Sequence, residues 1–185
     1  MQTVSSQPSK RISELAVLPV FFDLRGKRVV VIGGGEPAAW KIELLAAAGA
    51  RVDVFAEEVC EELSALAPTS IILHPRPWTP ADLTGAALAI ANIEDDAEAH
   101  AFIAAAKAAA VPYNFIDRPE FCQFQFGAIV NRSPVVVGIS TAGAAPILGL
   151  AVRRRIETLL PQTLTQWAQL AARLRETVMD RLAAG

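Results

Sequence analysis

Arg28-Val29-Val30-Val31-Ile32-Gly33-Gly34-Gly35-Glu36-Pro37-Ala38-Ala39-Trp40-Lys41 joins an apolar run, a triple glycine and a helical pattern. It reads as a strand, a phosphate-binding turn and a helix. Four consecutive β-branched residues, Val29 to Ile32, suit a strand covered on both faces, as in the centre of a parallel sheet. Gly33 and Gly35 fit the first two glycines of G-x-G-x-x-G/A, and Ala38 takes the third place. Gly33 permits the tight turn, Gly35 lets the backbone approach a pyrophosphate, and Ala38 lets the helix pack closely on the strand. The helix start offers unpaired N–H groups and partial positive charge to an anion. Glycine-rich turns also serve plain strand-to-helix connections, so the rest of the chain has to decide.

Outward from this stretch the pattern alternates. A helix over Glu36 to Ala48 places Ala38, Ile42, Leu45 and Ala48 on one face, and Gly49 stops it. Arg51-Val52-Asp53-Val54-Phe55 is a second strand, Glu57 to Leu66 a helix, and Ser70-Ile71-Ile72-Leu73-His74 a third strand. A fourth strand spans Ala86 to Ala91 and an Ala-rich helix runs to about Ala110. A fifth strand over Val111 to Asp117 brings Asn114 and Asp117 to its carboxyl end, the edge where open parallel sheets bind ligands. Strand-helix alternation of this kind predicts an α/β, Rossmann-like parallel sheet with right-handed crossovers. Thereafter Phe121 to Val130 and Ser133 to Ile139 read as two strands joined at Asn131-Arg132-Ser133-Pro134. A small-residue loop, Ser140 to Pro146, leads to a helix reaching Leu160. Pro161 opens a helical tail, Gln162 to Leu182, whose Leu164, Trp167, Leu170, Leu174 and Val178 form a stripe that needs a partner or its own sheet to cover it. The expected layout is a disordered lead-in over 1–12, a Rossmann domain over 13–118, a β-containing region over 119–160 and a C-terminal helical tail over 161–185.

Composition bounds the functional classes. The 185 residues are 52% hydrophobic with a formal net charge of −2, which suits a globular protein and gives no electrostatic case for nucleic acid or a membrane surface. No apolar run is long enough to span a bilayer, and Met1 to Lys10 does not read as a signal peptide. Cys60 and Cys122 lack metal-ligand spacing, so no disulfide framework and no standing metal site is expected, and a reducing, cytoplasmic setting follows. His74 and His100 are isolated and read as surface or structural residues. In a dinucleotide-binding unit the second strand usually ends in an acid that holds the ribose, about 20 residues past the glycines. Phe55 fills that place here, which leaves the ribose to backbone groups or to Glu57 and Glu58, and no basic pair nearby favours a 2′-phosphate.

The ordered markers Leu18-Pro19-Val20-Phe21, Leu24-Arg25-Gly26, the Gly33 turn with Lys41, Ala47-Ala48-Gly49-Ala50-Arg51, Asn114-Phe115-Ile116-Asp117, Arg132-Ser133-Pro134, Ser140-Thr141-Ala142-Gly143 and Leu159-Leu160-Pro161 resemble the N-terminal module of siroheme synthase, the precorrin-2 dehydrogenase and sirohydrochlorin ferrochelatase family. The resemblance runs from about Leu18 to Leu174, and it implies NAD binding for the Rossmann domain over 13–118 and dimerisation and substrate binding for the β-containing region over 119–160. It implies NAD-dependent oxidation of precorrin-2 to sirohydrochlorin, followed by insertion of ferrous iron as co-substrate, in a homodimer acting on a tetrapyrrole. It implies NAD contacts at Gly33, Gly35, Glu36, Pro37, Glu57, Glu58 and Asn92, the last where relatives often carry a hydroxyl. Asp117 is implied as the catalytic base for both steps, the alternative being a cap on the turn before Pro119. Asn114, Arg118, Arg132, Ser140 and Thr141 are implied on the substrate side, and Arg153 to Arg155 are further candidates for its carboxylates. Thr141 stands where some members carry a modifiable serine. Gly127 replaces a common proline, which is expected to loosen the substrate-side wall. A reading from another class is a non-catalytic, dimeric NAD-sensing regulatory module, which explains the glycine turn and the tail but not Asn114 and Asp117 together at one strand edge.

Overall fold

The computed structural model describes residues 13–66 and 71–183. The expected lead-in over 1–12, and Ser70 at the expected start of the third strand, lie outside the described residues. In chain order the elements are β1 (Arg28–Ile32), α1 (Glu36–Ala47), β2 (Arg51–Phe55), α2 (Glu61–Ala65), β3 (Ile71–His74), β4 (Leu88–Ala91), α3 (Asp96–Ala108), β5 (Tyr113–Phe115), β6 (Ala128–Arg132), β7 (Val135–Ile139), α4 (Pro146–Leu159) and α5 (Leu164–Ala183). Short 3-10 turns cover Pro80–Leu83 and Pro119–Phe121. Contacts divide the chain into two compact units, Phe21–Phe126 on one hand, and the residues from Gly127 onward with those before Phe21 on the other.

In the first unit, β1 is the middle strand of a parallel sheet ordered β3-β2-β1-β4-β5. Val29, Val30 and Val31 are completely buried, as four β-branched residues in a row require. Val29 and Val31 face Ile42 and Leu45 of α1 and Leu63 of α2. Val30 and Ile32 face Ala99, Phe102 and Ala106 of α3. Phe102 anchors that second layer, edge-on to Trp78 (ring centroids 5.3 Å apart) and Phe115 (5.4 Å). The α3 start is capped by Asp95, whose carboxylate accepts the Glu98 N–H at 2.8 Å.

Several expected boundaries move for identifiable reasons. The second helix begins at Glu61, not Glu57, because residues 57–60 bend back onto the glycine turn, the Cys60 N–H donating to the Gly34 carbonyl. Ala48 is exposed and Ala39 is buried instead, so the buried stripe of α1 is Ala38, Ala39, Ile42 and Leu45. The fifth strand is trimmed to Tyr113–Phe115 because Asp117 turns into the left-handed region, φ 56°. No strand starts at Phe121: the Gln123 N–H donates to the Tyr113 carbonyl at 3.1 Å and residues 119–121 form a 3-10 turn.

In the second unit β6 and β7 pair antiparallel, with Val130 opposite Val137. The Asn131 side chain accepts the Ser133 N–H at 2.9 Å and its hydroxyl at 2.6 Å, which sets the turn between them. Gly127 does not loosen this region. A Cβ there would stand 2.2 Å from the Ile139 carbonyl oxygen, so glycine permits the close approach of the two strands. α4 packs on the hairpin and α5 touches β7, yet Trp167 remains 69% exposed and Leu170, Leu174 and Val178 are exposed as well.

Phe102→Ala removes the ring around which the α3 layer is packed, and about 3–5 kcal/mol of stability is expected to go with it. Urea unfolding measures this directly, and a loss below about 1 kcal/mol would contradict the layer as described.

Candidate cofactor and catalytic site

Because β2 and β4 flank β1 while the chain leaves β1 in one direction only, the sheet opens a crevice at the carboxyl end of β1, and the glycine turn lies in it. Gly33 has φ 103°, and a Cβ on it would stand 2.9 Å from the Asn92 Cβ and 3.2 Å from the Asn92 carbonyl oxygen. Gly34 is tighter still: its Cβ would lie 2.1 Å from the Glu58 carbonyl oxygen. Its own carbonyl accepts the Cys60 N–H at 2.8 Å. Gly34 was not singled out by the motif, whose second position is free, and the only signal for it is that the glycine is there. Gly35 differs, because the nearest atoms to a Cβ there are 3.7 Å away. It is the N-cap of α1, and no side chain caps that helix. A turn that is closed from below by Glu58 and Asn92 and uncapped above fits a pyrophosphate, with Glu36 and Pro37 exposed in the first helical turn.

Glu57 and Glu58 are exposed beyond β2, and Asn92 is half-buried after β4, its N–H donating to the Ile32 carbonyl at 2.9 Å. Phe55 is 2% exposed and stacks on His74, ring centroids 4.4 Å apart. His74 Nε2 lies 3.2 Å from Asp53 Oδ1, and Asp53 is also bonded by Arg28. Arg76 lies over Phe55 but is committed to Asp82 through two hydrogen bonds of 2.9 and 2.7 Å. That guanidinium holds the Asp82 carboxyl well below the usual carboxylate range, helped by the Thr79 hydroxyl and N–H. His100 is likewise engaged, its Nδ1 2.6 Å from the Asp96 carbonyl.

At the β5 edge the side chains divide into engaged and free. Asn114 is 5% exposed, and its amide donates to the Phe124 carbonyl at 2.8 Å and to Cys122 Sγ at 3.2 Å. Cys122 also takes the Phe115 N–H at 3.2 Å. Burial pushes its thiol pKa up, against a smaller lowering from that N–H. Arg118 donates to the Ile93 and Glu94 carbonyls, bonds Asp96, lies 3.5 Å from Glu120 and covers the Phe121 ring. Asp117 is exposed and its carboxylate has no hydrogen bond or ion pair among the described residues. Nor does a side chain cap the turn that follows it. Lys41, on α1, is half-buried with its Nζ 4.1 Å from the Phe126 ring centroid.

The remaining expected residues belong to the second unit. Arg132 is 8% exposed, and its Nε donates to the Leu160 carbonyl at 2.7 Å and its Nη1 to the Asn131 carbonyl at 2.8 Å. It closes the carboxyl end of α4. Ser140 Oγ accepts the Ala142 N–H at 3.0 Å. Thr141 does not cap α4, whose N-cap is Ala145 without a side-chain bond. Arg153 is bonded to Glu157 at 3.0 Å. Among the described residues no group of His, Cys, Asp and Glu could hold a metal ion, and no helix is long and apolar enough to cross a membrane.

The chain is similar to the siroheme synthase of Ectopseudomonas mendocina, 44% identical over 161 residues, which are 87% of this chain and 35% of that protein. It is 40% identical over 172 residues to the siroheme synthase of Methylobacillus flagellatus, covering 92% of this chain and 37% of the relative. The chain thus spans little more than a third of the length of these curated relatives. Its fold matches a solved structure described as "SirC, precorrin-2 dehydrogenase" with a TM-score of 0.72 and 23% identity, over 86% of this chain and 79% of that one. Residues 20–128 match a family described as "Putative NAD(P)-binding", and with its Rossmann-like sheet and glycine turn the chain belongs to that family.

Proposed function

We propose that this chain is a NAD-dependent precorrin-2 dehydrogenase that converts precorrin-2 to sirohydrochlorin. The observation that carries this is Asp117, an exposed carboxylate with no hydrogen bond or ion pair among the described residues, at the β5 edge with β4 between it and the strand of the glycine turn. The similarity to siroheme synthases and the SirC-like fold support it. NAD, when bound, supplies the hydride acceptor. Gly33 and Gly35 shape its pyrophosphate cradle, with Glu36 and Pro37 at the rim, and Glu57, Glu58 and Asn92 border the adenosine and nicotinamide sides. As a carbon of the substrate gives up hydride, a proton leaves with it in the overall balance, and Asp117 accepts that proton. Ferrous iron then enters sirohydrochlorin as substrate, displacing two pyrrole protons, and Asp117 serves as their acceptor as well. Asn114, Arg118 and Arg132 act as scaffold, since the hydrogen bonds they donate go to internal acceptors. Ser140 and Thr141 are assigned to the substrate side.

Residues 13–118 are assigned as the NAD-binding domain, 119–160 as the dimerisation and substrate region and 161–185 as the tail. The exposed α5 stripe supports a homodimer, and the free thiols Cys60 and Cys122 support a reducing, cytoplasmic setting. Nothing favours a non-catalytic NAD sensor over the enzyme, because a sensor has no use for the unpaired Asp117.

Two variants separate binding from chemistry. Gly35→Ala has room for its methyl and is expected to keep folding stability within about 1 kcal/mol while weakening NAD about tenfold or more; unchanged NAD affinity in calorimetry would remove the turn from the cofactor site. Asn tolerates a left-handed backbone, so Asp117→Asn should preserve fold and NAD affinity and lower anaerobic NADH production from precorrin-2 at least about a hundredfold. Turnover within about threefold of wild type would sink Asp117 as the base.

A further inference from the structure

An octacarboxylate substrate needs cations, and the arginines nearest Asp117 in the chain are already engaged by internal partners. Arg118 is bonded to Asp96 and two carbonyls, and Arg132 to the end of α4. Lys41 presents the opposite situation. Its Nζ lies 4.1 Å from the Phe126 ring centroid and 4.6 Å from that of Trp40, and it has no ion pair or hydrogen bond among the described residues. Aromatic faces attract an ammonium but give it no hydrogen-bond acceptor, so its three donors await one.

The ring that holds it is placed by the same bonds that build the β5 edge. Asn114 fixes the Phe124 carbonyl and Phe124 packs on Phe126, ring centroids 5.6 Å apart. Burial pushes the Lys41 pKa below its ordinary value, and the charges that oppose this come from Asp117 first and then Cys122. The ammonium is therefore partly desolvated, with the Asp117 charge acting in its favour. A carboxylate that reaches this ammonium makes charge-assisted hydrogen bonds, stronger than those between neutral groups.

We propose that Lys41 binds a carboxylate of the tetrapyrrole, its ammonium held by the Trp40 and Phe126 rings. This assignment rests on the precorrin-2 reading above and adds the residue that orients the substrate toward the base. A compact ammonium with rotatable donors suits one carboxylate on a flexible arm, where a rigid guanidinium is not required.

Uroporphyrin, a stable octacarboxylate porphyrin, and its neutral octa-amide serve as probes with the full chain, read by fluorescence anisotropy without NAD. Lys41→Gln is expected to weaken uroporphyrin about tenfold, to leave the octa-amide and NAD unchanged, and Lys41→Arg is expected to retain affinity within about threefold. Equal uroporphyrin affinity in Lys41→Gln and wild type overturns the assignment. An equal loss for the octa-amide or for NAD also overturns it, as that marks a purely structural lysine, and so does a wild-type chain that does not bind uroporphyrin. Failure of the enzymatic reading looks different: wild type would then bind uroporphyrin through Lys41 and still yield no NADH from precorrin-2.

Discussion

Burial of β1 on both faces is the constraint on which the first unit depends. A strand with Val29, Val30 and Val31 all removed from water must have a helix layer on each side. α1 and α2 supply one and α3 the other. The two layers draw on alternate residues of one short strand, so the helices cannot be exchanged or shifted without exposing half of it. The same centrality puts the strand-order reversal at β1, and the reversal opens the crevice at its carboxyl end.

What occupies that crevice is decided by backbone contact. Gly33 meets Asn92 after β4 and Gly34 meets the Glu58 carbonyl after β2, so the turn is locked to both neighbouring strands. Segment 57–60 bends to make this contact, with the Cys60 N–H donating to the Gly34 carbonyl, and α2 is shortened to one turn and a little more. Of the three, only Gly35 would take a Cβ at ordinary contact distances, its nearest neighbours 3.7 Å away. The division suits a rigid cradle: two glycines are needed by the protein itself, and the third leaves room for something else.

The β5 edge is built by saturating most of its polar groups. Asn114, Cys122 and Arg118 tie β5 to the segment after it and to the loop before α3. Among the described residues, the groups there without a hydrogen bond or ion pair are Asp117, turned outward by a left-handed backbone, and Lys41, flanked by rings that cannot bond it. In a region rich in pairs, a carboxylate and an ammonium that make no hydrogen bond or ion pair among the described residues are the groups able to act on a ligand.

The sheet class, the position of β1, the glycine turn and the arrival of Asp117 at a strand end were legible in the chain, because they follow from local facts: a run of β-branched residues, a backbone without Cβ atoms, and strand-helix alternation. Residue type does not report whether a donor is already spent. Arg118, Arg132 and Asn114 read as substrate contacts, yet their partners are carbonyls and carboxylates that only the folded chain brings to them. Gly34 sits in a free motif position and Gly127 in a proline's place, and both are required by a carbonyl from elsewhere in the chain. Periodicity and turn chemistry, which act over a few residues, therefore determined the scaffold from sequence alone. Which charges remain free and which glycines must be glycine was decided by tertiary structure, because hydrogen-bond saturation and close backbone approach depend on residues far away in sequence.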